Sequence, residues 1–152
     1  MTDFEDIIST LNHLIETSRD GEEGFRSSAE NVDDPQLKAF FIRRSQEVGN
    51  SVRELQDLVR SLGGEPATSS TISGALHRRW IDLKTAITSN DIVAVLNETE
   101  RGEDVALKAY REAVEIDLPA QVRLVVIRQL EGAQRNHDEV KRLRDLARAT
   151  VE

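Results

Sequence analysis

Four long stretches of this sequence set apolar residues at alternating steps of three and four, the period of one face of an α-helix. The first carries Phe4, Ile7, Ile8, Leu11, Leu14, Ile15, Phe25, Ala29 and Val32, and the second Leu37, Phe40, Phe41, Val48, Val52, Leu55, Val59 and Leu62. The third has Ile92, Val95, Leu96, Ala106, Tyr110 and Ala113, and the last Val122, Val126, Leu130, Ala133, His137, Val140, Leu143 and Ala147. No stretch alternates with the period of two that a half-buried strand needs. The chain is therefore expected to be all-α.

Punctuation sets the order of the helices. Thr2 with Glu5 forms a capping-box pattern for the first helix. Asp34 and Pro35 suit the cap and first turn of the second, and Gly63-Gly64 followed by Pro66 ends it. Ser89 or Asn90 is placed to cap the third long helix, and Asp117-Leu118-Pro119 is a short turn into the last. Between Gly63 and Asn90 lies a long connection holding a shorter amphipathic helix, about Ile72 to Thr88, with Leu76, Trp80, Leu83 and Ile87 on one side. Trp80 is expected to pack on the bundle, and His77 beside it to sit at the corner where the connection docks. Two short turns make antiparallel pairs; the long connection climbs back, so the second and third long helices run parallel. This is a four-helix bundle with one long crossover, the ferritin-like connectivity, expected to occupy 1–152 as one domain.

Composition narrows the function. A formal charge of −8 is a poor match for the basic patch that phosphate contacts need, so no nucleic-acid partner is expected. No apolar run approaches the ~20 residues of a membrane span, and the acidic start MTDFEDIIST is unlike a secretory signal. The helices lack basic amphipathic faces for a membrane surface. Zero cysteines removes thiol catalysis, disulfides and Cys-type metal sites. A cytoplasmic protein is expected.

Each apolar stripe is interrupted once in its middle. The interruptions are Ser18 and Glu22 (or Gly21) in the first helix, Arg44, Glu47 and Ser51 in the second, and Thr99, Gly102 and Glu103 in the third. Glu131 to His137 is the matching region of the last. Counting levels along antiparallel neighbours brings all four to one height. Carboxylates on facing helices of such a bundle are the ligands of a metal centre, built from one Glu on each of two helices and Glu-x-x-His on the others. The candidate ligands are Glu23, Glu47, Glu100, Glu103 and His137, for iron or manganese. The second and last helices offer Glu47-x-x-Asn50 and Glu131-x-x-Gln134, with an amide where the imidazole should stand. The other reading of Glu103 is a carboxylate paired across the bundle with Arg44.

The stretches LNHLIETSRDGEEGF, ELQDLVRSLGGEP, SGALHRRWIDLK, NETERGEDVALKAY and NHDEVKRLRD, in order through nearly the whole chain, resemble an uncharacterised bacterial ferritin-like four-helix-bundle family, a domain of unknown function. Arg79 departs from it, standing where a small residue is expected. The resemblance implies the fold, a cytoplasmic bacterial setting and a stress-linked role, and it implies no activity. Two functions follow as expectations. One is a non-catalytic bundle acting by self-association, a homodimer first, or by partner binding. The other is a carboxylate-bridged metal protein of the oxidase or iron-handling kind.

Overall fold

The computed structural model describes residues 3–68 and 74–151, the side chains of 74–80 and 151 excepted. The expected packing of Trp80 and His77, and Thr2 itself, fall outside the described residues. Five helices follow in order: α1 (Phe4–Asn31), α2 (Pro35–Ser61), α3 (Gly74–Thr88), α4 (Ile92–Glu115) and α5 (Ala120–Val151). α1, α2, α4 and α5 form a ferritin-like four-helix bundle, with α3 in the crossover against α4 and α1.

Capping follows the sequence closely, with two shifts, the first being that α1 is capped by Asp3 and not by the expected Thr2. Asp3 caps α1 by accepting from the Asp6 amide at 2.9 Å, and Asp34 caps α2 by accepting from Leu37 at 2.9 Å. α2 ends in paired bonds, the Gly64 amide to Val59 and the Gly63 amide to Arg60, both 3.0 Å. Gly63 takes the left-handed φ of 83° that this ending needs. The α4 cap is Asp91, not Ser89 or Asn90, and accepts from Ala94 at 3.1 Å. Asn90 has a φ of 57° and instead closes α3, its amide bonded to Ile87 at 3.0 Å. Arg123 reaches back from α5 to the Val114 and Ile116 carbonyls at 3.1 and 2.8 Å, occupying acceptors that the end of α4 leaves open.

Cross-helix contacts fix the directions. Phe25 stacks on Phe41 and the Ser45 hydroxyl donates to the Glu22 carbonyl, so α1 and α2 are antiparallel. Going back along α4 from Tyr110 to Asp104 to Glu100, the partners on α5 advance from Gln129 to His137 to Arg144, so α4 and α5 are antiparallel too. The crossover is tied down by Asn12, which donates to the Glu65 carbonyl and accepts from the Ala67 amide, and by Arg19, which donates to the Thr68 carbonyl.

The apolar interior is split in two. One cluster joins Leu11, Ile15, Leu55, Val59, Leu107 and Val126, and the other Phe25, Phe40, Phe41, Leu83, Leu96 and Val140. The break falls between Ile15 and Phe25, Phe41 and Val52, Leu96 and Leu107, and Ala133 and Val140. The four interrupted stripes do meet at one level.

Two glycines test this packing with opposite signs. A Cβ on Gly64 would lie 2.8 Å from Ile8 Cδ1, whereas one on Gly21, inside α1, would meet nothing within 4 Å. Gly64→Ala is expected to lower stability by about 1–3 kcal/mol through overpacking. Gly21→Ala should raise it by about 0.5–1 kcal/mol through helix propensity. Urea denaturation of the two variants checks both signs.

Candidate functional site

Arg44 and Glu103 are the charged pair at the break in the core. Arg44 projects from α2 and Glu103 from α4, and they are 6% and 1% exposed. The guanidinium donates twice, Nε to Oε1 at 2.9 Å and Nη2 to Oε2 at 3.0 Å. This side-on, two-bond fork is the strongest geometry available to such a pair. The same guanidinium lies over the Phe25 ring, 5.3 Å from its centroid. Burial pushes the Arg44 pKa down, but the charge and hydrogen bonds of Glu103, with Glu47 adding, outweigh it, so the net shift is upward.

A second polar chain lies one to two turns along. The Tyr110 hydroxyl donates to Gln129 Oε1 at 2.8 Å, and Gln129 Nε2 donates to Glu54 Oε1 at 2.9 Å and to the Ser51 carbonyl at 3.3 Å. Arg128 also pairs with Glu54. Partial burial would raise the Glu54 carboxyl, yet the hydrogen bonds from Gln129 and Arg128 hold it below its ordinary value. Gln129 went unnoticed in the sequence, although it stands three residues after Val126 and four before Ala133, on the inner face of α5.

The five candidate ligands are divided among three places. Glu103 is taken by Arg44, and Glu47 stands 3.7 Å from Arg44 Nη1 and 3.7 Å from Arg43 Nε at the edge of the same level. Glu100 and His137 come together elsewhere, between α4 and α5. His137 Nε2 is 2.8 Å from Asp104 Oδ1 and 3.6 Å from Glu100 Oε1, and Arg144 pairs with Glu100. Glu23 is exposed on α1. Among the described residues, no three acidic or histidine side chains converge as a group able to hold an ion. The two amides also point elsewhere, Asn50 bonding Arg53 and Gln134 bonding Arg111 and Asp138.

The polar level borders a cavity of about 510 Å³ that opens between α2 and α5. Arg44, Glu103 and Tyr110 lie on its inner side, and Asn50, Arg128 and Arg135 are among its other lining residues.

The family model described as a domain of unknown function (DUF2383) matches residues 6–116. The chain belongs to this family. No curated protein matches it by sequence. Among solved structures, it is similar to the bacterioferritin-related protein of Bacteroides fragilis, described as a dodecameric thioferritin. That match has a TM-score of 0.78 at 18% identity and covers 97% of this chain and 90% of the other. A two-domain protein of Anabaena variabilis, with DJ-1/ThiJ/PfpI-like and ferritin-like domains, gives 0.78 at 13% identity over 99% of this chain and 39% of that one. A mutant Dps1 of Mycobacterium smegmatis gives 0.72 at 15% identity over 93% and 97%. At these identities the likeness is one of fold, and it agrees with the bundle and crossover expected for this DUF2383 member. No helix among the described residues is long and apolar enough to cross a membrane.

Tyr110 reports on the polar level directly, because it is the chain's single tyrosine. Burial is the largest influence on its phenol, and although Ser18 and Arg44 pull the other way its pKa is pushed up to about 12. The folded state therefore holds this proton more tightly than the unfolded chain, where tyrosine titrates near ~10. The stability it lends is full below about pH 10 and is lost as pH rises through about 12. Tyrosinate absorbance should accordingly appear with a midpoint near 12. A midpoint near ~10 with the helical signal intact would mean Tyr110 is open to water.

Proposed function

We propose that this protein is a non-catalytic ferritin-like bundle that works by association, with copies of itself first, and that an ion pair replaces the metal centre at its polar level. The observation that carries this reading is the double hydrogen bond from Arg44 to Glu103. A cationic guanidinium stands against the most deeply buried carboxylate, so a divalent ion there would meet a like charge and would have to displace two short bonds. The remaining donors do not compensate. Glu47 is half-exposed, and the imidazole of His137 is engaged with Asp104 and Glu100 away from Glu103. The residues present thus do not fit an iron or manganese centre of the carboxylate-bridged kind.

Association is supported on different grounds. One structural neighbour is described as dodecameric. Phe4 and Leu124 are exposed near the starts of α1 and α5, which lie at the same end of the bundle. In this reading residues 1–152 act as one domain. The competing reading, an iron- or manganese-handling protein, draws on Glu47, Glu100, Glu103 and His137, whose carboxylates and imidazole are of suitable chemical type.

Thermal midpoints measured against added iron(II) without oxygen, and against manganese(II), separate the two readings. An ion bound only by the folded state raises the midpoint with its concentration. A flat response to about millimolar metal is expected, and a progressive rise would overturn the ion-pair reading. Sedimentation equilibrium at micromolar protein is expected to give a multiple of 17.1 kDa; a 17.1 kDa species throughout would contradict self-association.

A further inference from the structure

The cavity between α2 and α5 has a chemistry that the ion pair alone does not use. Its size, about 510 Å³, lies in the ~300–1,000 Å³ range of small-molecule pockets. Arg128, Gln129 and Glu54 line it and bridge α5 to α2. Phe25, Val48, Val105, Ala106 and Ala133 contribute apolar surface to the space between.

Glycines keep this space open. Gly21 of α1, Gly102 of α4 and Gly132 of α5 all line it. Inside a helix each costs roughly 1 kcal/mol against alanine, a cost that close backbone packing would normally explain. Packing does not explain it at two of them. A Cβ on Gly21 would meet nothing within 4 Å, and one on Gly132 only Arg135 Nη2 at 3.6 Å.

Of the three carboxylates that line the cavity, two are engaged by hydrogen bonds and the third, Glu47, is not. Glu103 is taken by Arg44, and Glu54 by Gln129 and Arg128. Arg44 spends Nε and Nη2 on Glu103, leaving Nη1 with only Glu47 at 3.7 Å, beyond hydrogen-bond reach. Glu47 is itself half-exposed and equally far from Arg43, so it can turn outward to that partner. Arg135, exposed beside the cavity, has no hydrogen bond or ion pair among the described residues. A loosely held carboxylate next to a buried guanidinium marks a place where another anion would be better held.

We propose that this cavity is a binding site for a small organic anion, one carboxylate or sulfonate on an apolar, ring-sized body. The anionic group takes Arg44 Nη1 in place of Glu47, and the body lies on the apolar wall beside Phe25 and Ala133. The site lies within one chain, so the inference holds whether the protein is a monomer or an oligomer.

The probe is 1-anilinonaphthalene-8-sulfonate, compared with N-phenyl-1-naphthylamine, the same aromatic body without the charge. The full-length protein is expected to bind the sulfonate saturably, one per chain, at least tenfold tighter than the neutral amine. Gly132→Leu and Gly21→Leu, which fill the cavity from two helices, should each weaken it at least tenfold. The double variant Arg44→Met/Glu103→Leu should bring the two dyes to within about twofold. A second readout needs no variant: in amide NMR spectra of the wild type, the sulfonate should shift Gly21, Gly102 and Gly132 and leave Gly63 and Gly64 in place. Four results would each overturn the proposal. They are absence of saturable binding, equal affinity for the neutral dye, affinity unchanged in folded glycine variants, and NMR shifts that miss the three cavity glycines. A metal response in the thermal titration would leave these outcomes unaltered, so failure of either reading is visible separately.

Discussion

A guanidinium and a carboxylate, both almost wholly removed from water, face each other in the middle of this four-helix bundle, and the rest of the interior is arranged around that fact. Either charge alone would be costly to bury, and a lone carboxylate would tend to protonate. Together, with two short bonds in the plane of the fork, they neutralise each other. The pair also joins α2 to α4, the two parallel helices linked in sequence only through the long crossover.

That constraint explains why the core is divided. Leu11, Leu55, Leu107 and Val126 pack toward one end, and Phe41, Leu96 and Val140 toward the other. Between them each helix presents small or polar groups: Ser18 and Gly21, Arg44 and Ser51, Thr99 and Glu103, Gln129 and Gly132. Thr99 satisfies its own hydroxyl on the Val95 carbonyl at 2.7 Å, so it adds polarity without needing a partner across the bundle. Tyr110 extends the level through Gln129 to Glu54, and so ties α4 to α5 and α5 to α2. The same small residues that make room for the charged side chains leave the cavity beside them.

The helices were legible because steps of three and four leave a strong periodic signal over long runs, and Asp34, Pro35 and the Gly63-Gly64 pair punctuate it. The polar level was legible too, since axial height follows from counting residues back from a turn. Direction around the axis was harder. Glu100 and Glu103 are three residues apart, a rotation of about 60° on the helix surface. That is enough to send Glu103 inward to Arg44 and Glu100 toward Arg144 and His137 on α5. Treating the two as neighbours in one ligand set joined what the helix separates. Pairing with Arg44 was readable as an alternative, because a buried carboxylate needs a partner. The Tyr110–Gln129–Glu54 chain was missed because glutamine on an inner face gives no charge signal. At residues 89–91 the polar run held two roles, a left-handed close at Asn90 and a cap at Asp91, which composition alone does not separate.

The central claim is that Arg44 and Glu103 act as one unit. A double-mutant cycle on equilibrium unfolding tests it most directly, with Arg44→Met, Glu103→Leu and the double variant. Each single change leaves a buried charge unpaired and should cost about 3–5 kcal/mol, while the double variant, with two apolar groups of similar size in contact, should lie close to wild type. The coupling between the two changes should then be about 6–10 kcal/mol, beyond the roughly 0.5–3 kcal/mol that neighbouring residues usually show. Additive losses, with the double variant as unstable as the sum of the singles, would contradict the account.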